Sequence, residues 1–235
     1  MEKIREVMNG ISELQPAQKP SDSEALRNQQ SPESGKTKAE IIEQEGENEY
    51  IAAVKRAMKD QIGMRYVKYF KESEIEQREL LNVKIRDLIY PGKGILLTGQ
   101  VGTGKTMDMI YIFQKVLQYE KGNRNLLYHA EAFVEKKIRY YFMPSLFEKL
   151  HFAEKAPLAE YVLLDDWGRE YSEPFALQRF EVMIEKMYKN ETKIVIATNL
   201  TQEEFKNRPG WLRINDRVRE VCGVLKIQGE SRRHK

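Results

Sequence analysis

Residues 95–106 read ILLTGQVGTGKT, and this stretch decides the fold. An apolar run of strand length leads directly into residues 99–106, which match the pattern G-x-x-x-x-G-K-[ST], and a helical pattern follows. Glycines let the backbone curl so that successive N–H groups point at phosphate oxygens, and the next helix adds the partial positive charge of its N-terminus. The stretch predicts a phosphate-binding loop. The structural alternative is a glycine-rich turn that only joins a strand to a helix.

Two side chains of this loop have specific expected roles. The Lys105 ammonium would reach the β- and γ-phosphates of a nucleotide, and the Thr106 hydroxyl would occupy one coordination position of Mg²⁺. The residues expected to contact the nucleotide are Gly99, Gln100, Val101, Gly102, Thr103, Gly104, Lys105, Thr106 and Met107.

A second motif supplies acidic side chains at the end of another predicted strand. Residues 161–164 are apolar and lead into Asp165 and Asp166. A carboxylate at the end of a strand beside a phosphate loop can hold Mg²⁺, so we expect Asp165 and Thr106 to be the metal ligands. Asp166 is expected to polarise the attacking water. Acidic residues at strand ends are common, so this pair alone is weak evidence for a metal site. The presence of the phosphate loop strengthens that interpretation.

A third motif follows the predicted strand 193–197, which is succeeded by Thr198 and Asn199. An amide at the carboxyl end of a strand beside a phosphate site can orient water or sense the γ-phosphate. The alternative is that Asn199 only forms the turn. Thr201 and Glu204 predict a capping box that begins the next helix.

The pattern of apolar runs predicts a three-layer α/β domain with a parallel sheet. Continuous apolar strands that alternate with helical patterns are typical of a sheet covered on both faces. The predicted strands are 95–97, 125–128, 161–164 and 193–197, with a weaker fifth at 223–227. The predicted organisation is an amphipathic helix at 1–14, a flexible linker at 15–38, a helical lead-in at 39–60 and the main domain at 61–235.

The first 38 residues differ in character from the rest. Residues 1–14 carry apolar side chains at helical spacing, whereas residues 15–38 contain three prolines and little that could be buried. A short helix is marginal alone in water, so this one is expected to fold onto a partner. The alternative is that it frays or docks back on its own domain.

Composition excludes several classes of protein. Cys222 is the only cysteine among 235 residues, which excludes a disulfide scaffold and a cysteine-built zinc site. The chain has neither a long apolar run nor a signal-peptide core, so we expect a cytoplasmic protein with no membrane association. Residues 1–50 hold 11 acidic and 6 basic residues while the whole chain is +3. The basic remainder suits a polyanionic partner or a solvated surface.

Three motifs in this order resemble the AAA+ ATPases. They are GQVGTGKT at 99–106, LLDDWG at 163–168 and IVIATNLT at 194–201. More narrowly, they are similar to the DnaC/IstB-like group of helicase loaders and transposon ATPase subunits, as are the lead-in at 63–66 and the segments 213–218 and 229–232. The resemblance covers about residues 60–235. It implies an AAA+ core without a helical lid domain, in keeping with the 36 residues that follow Asn199.

The resemblance also implies a residue that acts across a subunit interface. Members of the family complete their ATP sites between neighbouring subunits, and the matching arginine is Arg217, accompanied by Arg213. The two arginines are four residues apart on one helical face, so they could instead bind solvent or DNA phosphate. Met187 stands where relatives commonly have arginine, and no role is carried over to it.

Residues 136–142 read KKIRYYF and combine bases with aromatic rings. Single-strand binding surfaces use cations for the backbone and rings for the bases, and the resemblance to loaders strengthens that interpretation. The predicted nucleic-acid contacts are Lys136, Lys137, Arg139 and Tyr140. The alternative is that Ile138, Tyr141 and Phe142 are core residues of a helix.

Residues and resemblance together predict a Mg²⁺-dependent ATPase that loads a replicative hexameric helicase onto single-stranded DNA. The expected catalytic residues are Lys105, Asp166, Asn199 and Arg217, and ATP and Mg²⁺ are the expected cofactors. The chain is expected to form homo-oligomers on ATP or DNA, and residues 1–14 are expected to bind the helicase. ATP turnover is expected to be slow until DNA or a partner stimulates it. The alternatives are a transposition-associated DNA-binding ATPase and a nucleotide-dependent adaptor that scarcely hydrolyses. A small-molecule kinase is disfavoured, because the sequence offers no recognisable arginine-rich lid.

Overall fold

The computed structural model describes residues 38–69, 78–122, 130–170 and 173–229. The predicted helix 1–14, the linker up to residue 37 and the predicted strand 125–128 lie outside these ranges. The helices are α1 Lys38–Gln61, α2 Met64–Tyr69, α3 Arg78–Ile89, α4 Lys105–Gly122, α5 Ala130–Lys137, α6 Met143–His151, α7 Pro174–Lys189, α8 Gln202–Asn207 and α9 Leu212–Val221. The strands are β1 Gly94–Thr98, β2 Ile138–Phe142, β3 Tyr161–Trp167, β4 Lys193–Thr198 and β5 Cys222–Lys226.

The five strands form one parallel sheet in the order β2-β3-β4-β1-β5. The predicted three-layer α/β fold is confirmed, and no separate helical lid occurs among the described residues. Strands β1, β3, β4 and β5 cover four of the predicted apolar runs. Strand β2 shows that one prediction is wrong, because residues 138–142 form neither the predicted nucleic-acid surface nor the alternative helix. Its alternating burial is typical of an edge strand, which carries no continuous apolar run.

Side chains of each strand alternate between two hydrophobic clusters, one on each face of the sheet. In β1, Ile95 and Leu97 pack with helices α1, α3, α4 and α5. Leu96, between them, packs with helices α6, α7, α8 and α9 on the other face. Burial on both faces explains why the central strands read as uninterrupted aliphatic runs.

Helix α1 is part of the first cluster and covers the outer edge of the sheet. Its residues Tyr50 and Met58 are buried there. The Tyr50 hydroxyl donates to the backbone carbonyl of Leu117 at 2.8 Å. Gln61 Oε1 accepts a hydrogen bond of 2.8 Å from the backbone N–H of Tyr140, in the edge strand β2. The helical lead-in predicted at 39–60 therefore packs into the core of the domain.

Two further expectations concern local features. The capping box is confirmed. Thr201 Oγ1 accepts from the Glu204 backbone N–H at 3.2 Å, and the Glu204 carboxylate accepts from the Thr201 backbone N–H at 2.8 Å.

Cys222 is buried, and burial raises the pKa of its thiol to about 12. Across the ranges described, no helix combines the length and the apolar character that crossing a bilayer requires.

Candidate functional site

The phosphate loop begins where β1 ends, at the carboxyl edge of the sheet. Gly102 and Gly104 adopt φ values of 87° and 97°, a region that side-chain-bearing residues rarely occupy. A Cβ atom at Gly99 would lie 2.5 Å from the Ile227 carbonyl oxygen. Helix α4 begins directly after this turn, at Lys105. The glycines of the motif are thus required by the curl of the loop and by its close approach to the segment after β5.

Lys105 is only 7% exposed and lies within the curl of the loop. Its ammonium donates to the carbonyl oxygens of Gly99 at 2.8 Å and Gln100 at 2.6 Å, and to Thr103 Oγ1 at 3.4 Å. The loop amides, the α4 N-terminus and this ammonium together suit the negative oxygens of a polyphosphate.

Asp165 lies near the end of β3 and is nearly inaccessible to solvent. Its Oδ2 accepts a hydrogen bond of 2.6 Å from the Tyr140 hydroxyl, and its Oδ1 accepts one of 2.8 Å from the Asp166 backbone N–H. Burial raises the pKa of Asp165, against the lowering effect of its hydrogen bonds to Tyr140 and Thr106. A bound cation would favour the ionised carboxylate.

The structure brings together the two residues predicted as metal ligands. The Thr106 side chain, in the first turn of α4, lies close enough to Asp165 to lower the pKa of its carboxyl group. One hydroxyl and one carboxylate beside a phosphate loop fit Mg²⁺, which commonly takes few protein oxygens and completes its shell with phosphates and water.

Asp166 leaves the regular course of the strand. Its φ is +59°, and the pairing of β3 with β4 is irregular between Leu164 and Trp167. Aspartate tolerates this left-handed region better than most residues. Asp166 Oδ1 accepts from Asn199 Nδ2 at 3.0 Å, and Oδ2 lies 3.1 Å from an Arg169 guanidinium nitrogen. The structure thus joins Asp166 to Asn199, two residues that the sequence placed on different strands.

Close packing holds the ends of β3 and β4 together. The Thr198 hydroxyl donates to the Trp167 carbonyl at 2.7 Å. Gly168 has a φ of +108°, and a Cβ atom there would lie 2.7 Å from Leu200 Cγ. Because Leu200 follows Asn199 directly, Gly168 helps to set the approach of the two strand ends.

A buried ion pair supports the loop that follows β3. The Glu170 carboxylate accepts from the Gly168 backbone N–H at 2.8 Å and pairs with Arg208. Arg208 also stacks on the Trp211 ring, with 4.0 Å between the guanidinium carbon and the ring centroid. Sequence reasoning missed this support, because the two charges are 38 positions apart and neither belongs to a motif.

The arginines expected to act between subunits lie on the outside of the molecule. Arg217 Nε is 3.3 Å from Glu185 Oε2 on α7, and its guanidinium lies 4.4 Å from the centroid of the Tyr188 ring. Arg213 is more exposed and lies 3.2 Å from Glu181. Both arginines line an open groove of about 810 Å³ between α7 and α9. Met187 is fully buried in the second cluster, which gives it a packing role.

The predicted nucleic-acid residues do not form one surface. Lys136 is exposed, while Arg139 is partly buried and lies 3.5 Å from Glu135. Lys137 is buried and paired with Glu120 and Glu160, and Tyr140 is buried against Asp165. These two predictions are therefore corrected: neither side chain reaches the surface. Ile138 is a core residue, as the alternative held, but in a strand rather than a helix.

No protein-family model matches the sequence, and the comparison with curated proteins found no match. Similar solved structures include a crystal structure of the DnaC helicase loader, with a TM-score of 0.50 and 18% identity over 70% of this chain and 99% of that one. A crystal structure of DnaI has a TM-score of 0.52 and 15% identity over 70% and 91%. AMPPCP-bound DnaA from Aquifex aeolicus has a TM-score of 0.50 and 18% identity over 69% and 51%.

At these identities the similarity establishes the fold. The chain shares the three-layer α/β architecture of these structures, which is the fold that the sequence predicted.

Proposed function

We propose that this chain is a Mg²⁺-dependent ATPase that loads a replicative hexameric helicase onto single-stranded DNA. The observation that carries the ATPase part is the meeting of three motifs at one edge of the sheet. Lys105 lies within the loop, Thr106 lies beside Asp165, and Asn199 donates a hydrogen bond to Asp166. In the sequence these groups are far apart: Lys105 and Thr106 follow β1, the two aspartates lie at the end of β3, and Asn199 follows β4.

The chain's own groups have distinct tasks in binding ATP. Backbone amides of residues 99–106 and the α4 N-terminus hold the phosphates, and the Lys105 ammonium faces the β- and γ-phosphoryl oxygens. Thr106 and Asp165 would hold Mg²⁺, which would supply neutralisation of the charge that develops on the transferred phosphoryl group.

Hydrolysis requires a water aligned with the γ-phosphate. An Asp166 carboxylate oxygen accepts a hydrogen bond from this water and takes its proton as the water oxygen bonds to the γ-phosphorus. The bond from that phosphorus to the β–γ bridging oxygen breaks, and ADP and phosphate leave. The Asn199 amide, 3.0 Å from Asp166 Oδ1, orients that carboxylate. Arg169 lies 3.1 Å from the other carboxylate oxygen, so that oxygen already accepts from a guanidinium and is less available to the water. Slow basal turnover follows from this pairing.

A second copy of the chain completes the ATP site. Arg217 lies on an open groove, where Glu185 and Tyr188 hold it at the surface. In the assembly, the guanidinium stabilises the γ-phosphate of a neighbouring copy, a contribution that can amount to ~10³-fold in turnover. Assembly on ATP or DNA therefore switches hydrolysis on.

The helicase and DNA parts of the proposal rest on the resemblance of the motifs and on the fold shared with the DnaC helicase loader and DnaI. Residues 1–14, which lie outside the described ranges, bind the helicase through their apolar face. Lys136 and Arg139 remain the candidates for contact with single-stranded DNA, whereas Lys137 and Tyr140 have structural partners instead.

Loading is tested with the full chain, a hexameric replicative helicase and a closed circle of single-stranded DNA. We expect helicase on the circle only when ATP and the chain are present. A full-length variant with Ile4, Val7 and Ile11 changed to serine loses capture of the helicase but keeps nucleotide binding. Capture of a transposase in place of the helicase would support the transposition alternative and overturn this proposal.

One observation favours a second candidate, a nucleotide-dependent adaptor that scarcely hydrolyses. Asp166 is held on one oxygen by Asn199 and on the other by Arg169. If this arrangement persists in the assembly, the chain binds ATP and DNA without turnover. Phosphate release with and without single-stranded DNA separates the two: stimulation supports the ATPase, and negligible release in both conditions supports the adaptor.

A further inference from the structure

We propose that Tyr140 is a positioning residue for the magnesium site, which orients the Asp165 carboxylate through its phenolic hydroxyl. This inference deepens the proposed ATPase and rests on it. None of the three motifs shared with ATPases contains Tyr140, and the sequence predicted it as a nucleic-acid contact. The structure places it inside the protein, on the neighbouring strand.

The register of the two strands brings Tyr140 to Asp165. Tyr140 is aligned with Leu163, and Phe142 is aligned with Asp165. Side chains two residues apart share a face of the sheet, so Tyr140 and Asp165 are diagonal neighbours, within reach of a long aromatic side chain. The Tyr140 hydroxyl donates to Asp165 Oδ2 at 2.6 Å. Both residues are buried, at 6% and 4% exposure.

The hydrogen bond restricts how the Asp165 carboxylate can turn. The Tyr140 hydroxyl donates to Oδ2 and the Asp166 backbone N–H donates to Oδ1, so both carboxylate oxygens have a donor. A buried carboxylate fixed by donors is oriented before a cation arrives, so less freedom is lost on binding. Partners of this kind typically contribute 10- to 100-fold in metal affinity.

Tyr140 is itself anchored by helix α1. Its backbone N–H faces outward from the edge strand, where it donates to Gln61 Oε1 at 2.8 Å. This bond fixes the strand at the residue that carries the phenol. The orientation of Asp165 thus depends on a side chain at the end of α1, although α1 does not reach the carboxylate.

Tyr141 offers a matched control on the same strand. Its hydroxyl donates to the Pro157 carbonyl, and its ring packs with the second cluster, on the other face of the sheet. Tyr140→Phe and Tyr141→Phe each remove one hydroxyl from β2. Only the first removes a donor to Asp165.

The test measures how the binding of a fluorescent, slowly hydrolysed ATP analogue to the full chain depends on Mg²⁺ concentration. For Tyr140→Phe, we expect the half-saturating Mg²⁺ concentration to rise by roughly tenfold. Affinity for the analogue in excess chelator, which does not involve the metal, stays unchanged. Tyr141→Phe behaves as the wild type in both measurements. Gln61→Ala shows a smaller rise in the Mg²⁺ requirement.

Several outcomes would overturn the inference. One is an unchanged Mg²⁺ requirement in Tyr140→Phe, even if the variant unfolds at lower temperature, since Tyr140 would then be structural only. Another is an equal rise in both variants, which would indicate a general effect on the strand. If the wild type binds the analogue with no dependence on Mg²⁺, the proposed ATPase fails and this inference fails with it.

Discussion

Two buried lysines lie at opposite ends of the sheet and have different partners. Lys105, at the carboxyl end of the strands, is 7% exposed and donates to the neutral oxygens of Gly99, Gln100 and Thr103. Lys137, at the amino end, is 5% exposed and pairs with the carboxylates of Glu120 and Glu160. The same residue type, equally buried, thus has two different environments.

The network around Lys137 is internally satisfied. The Tyr161 hydroxyl donates to Glu120 at 2.9 Å and accepts from Lys193 at 2.9 Å. Carboxylates compensate the charge of Lys137 within the fold. The hydrogen bonds from Lys105 to loop carbonyl oxygens hold its ammonium inside the curl that is proposed to take phosphate. Burial of a charge therefore does not by itself identify a binding site, and its place in the fold must be considered with it.

The largest expected effect is on stability, from Lys137→Ala. Removing the lysine leaves Glu120 and Glu160 without their shared cation, so we expect a loss of about 3 to 5 kcal/mol in the free energy of unfolding. Urea unfolding measures it, and nucleotide affinity should be unchanged. The neighbouring exposed Lys136→Ala serves as the control, with a change within about 0.5 kcal/mol. A weaker affinity for nucleotide in Lys137→Ala at equal stability would break the comparison.

Lys105→Ala should show the opposite profile. We expect affinity for Mg·ATP to fall about 100-fold, equal to about 2.7 kcal/mol, because the buried ammonium faces the phosphates. Isothermal calorimetry measures the affinity, and circular dichroism checks that the fold remains. A variant that binds as tightly as the wild type would contradict both the comparison and the proposed function.

Arg169→Ala sharpens the comparison within the nucleotide end. The guanidinium is exposed and pairs with Asp166 at 3.1 Å, so removing it should leave that carboxylate oxygen free to accept from the attacking water. We expect basal turnover to rise roughly twofold, as suits an exposed pair. Steady-state phosphate release measures this. Arg179→Ala, which removes an arginine stacked over Phe175, should leave turnover unchanged; a drop in turnover for Arg169→Ala would contradict the assigned role.

The smallest expected effect is the contribution of Glu160 to acid stability. Burial raises the pKa of Glu160, but its hydrogen bonds to Lys137 and then Lys193 outweigh this and hold the pKa below the ordinary value of 4.5. The stabilisation is therefore present above about pH 4.5 and is lost as the pH falls through the folded-state value. Glu160→Gln should lose stability less steeply than the wild type below this pH in urea unfolding. Equal slopes would show that the pair does not contribute.

The nucleotide end was largely predictable because its signals are local. The phosphate loop has fixed spacing, and Asp165 and Asn199 each follow a continuous aliphatic run. Parallel strands bring such strand ends to one edge, so the sequence alone placed Lys105, Asp165 and Asn199 near one another.

The residues in and beside the edge strand β2 were not predictable, because their contacts join distant positions. Lys137 and Tyr140 lie in a stretch of bases and aromatic rings that reads as a surface. Lys137 pairs with the carboxylate of Glu120 on α4. Tyr140 is covered by helix α1, whose Gln61 is 79 positions away in the sequence. An edge strand that is covered by a helix distant in sequence lacks a continuous apolar run, so the sequence pattern does not predict the strand.

The cover that α1 gives to the edge strand has a practical consequence. Residues 138–142 form the outermost strand, and Gln61 occupies a backbone N–H that would otherwise face outward. A fragment truncated to begin near residue 62 would expose this strand together with the apolar surface that Tyr50 and Met58 cover. The unpaired backbone groups of exposed edge strands hydrogen-bond to those of other copies, so such a fragment would aggregate even if it bound ATP. The smallest unit worth expressing therefore begins at or before Lys38.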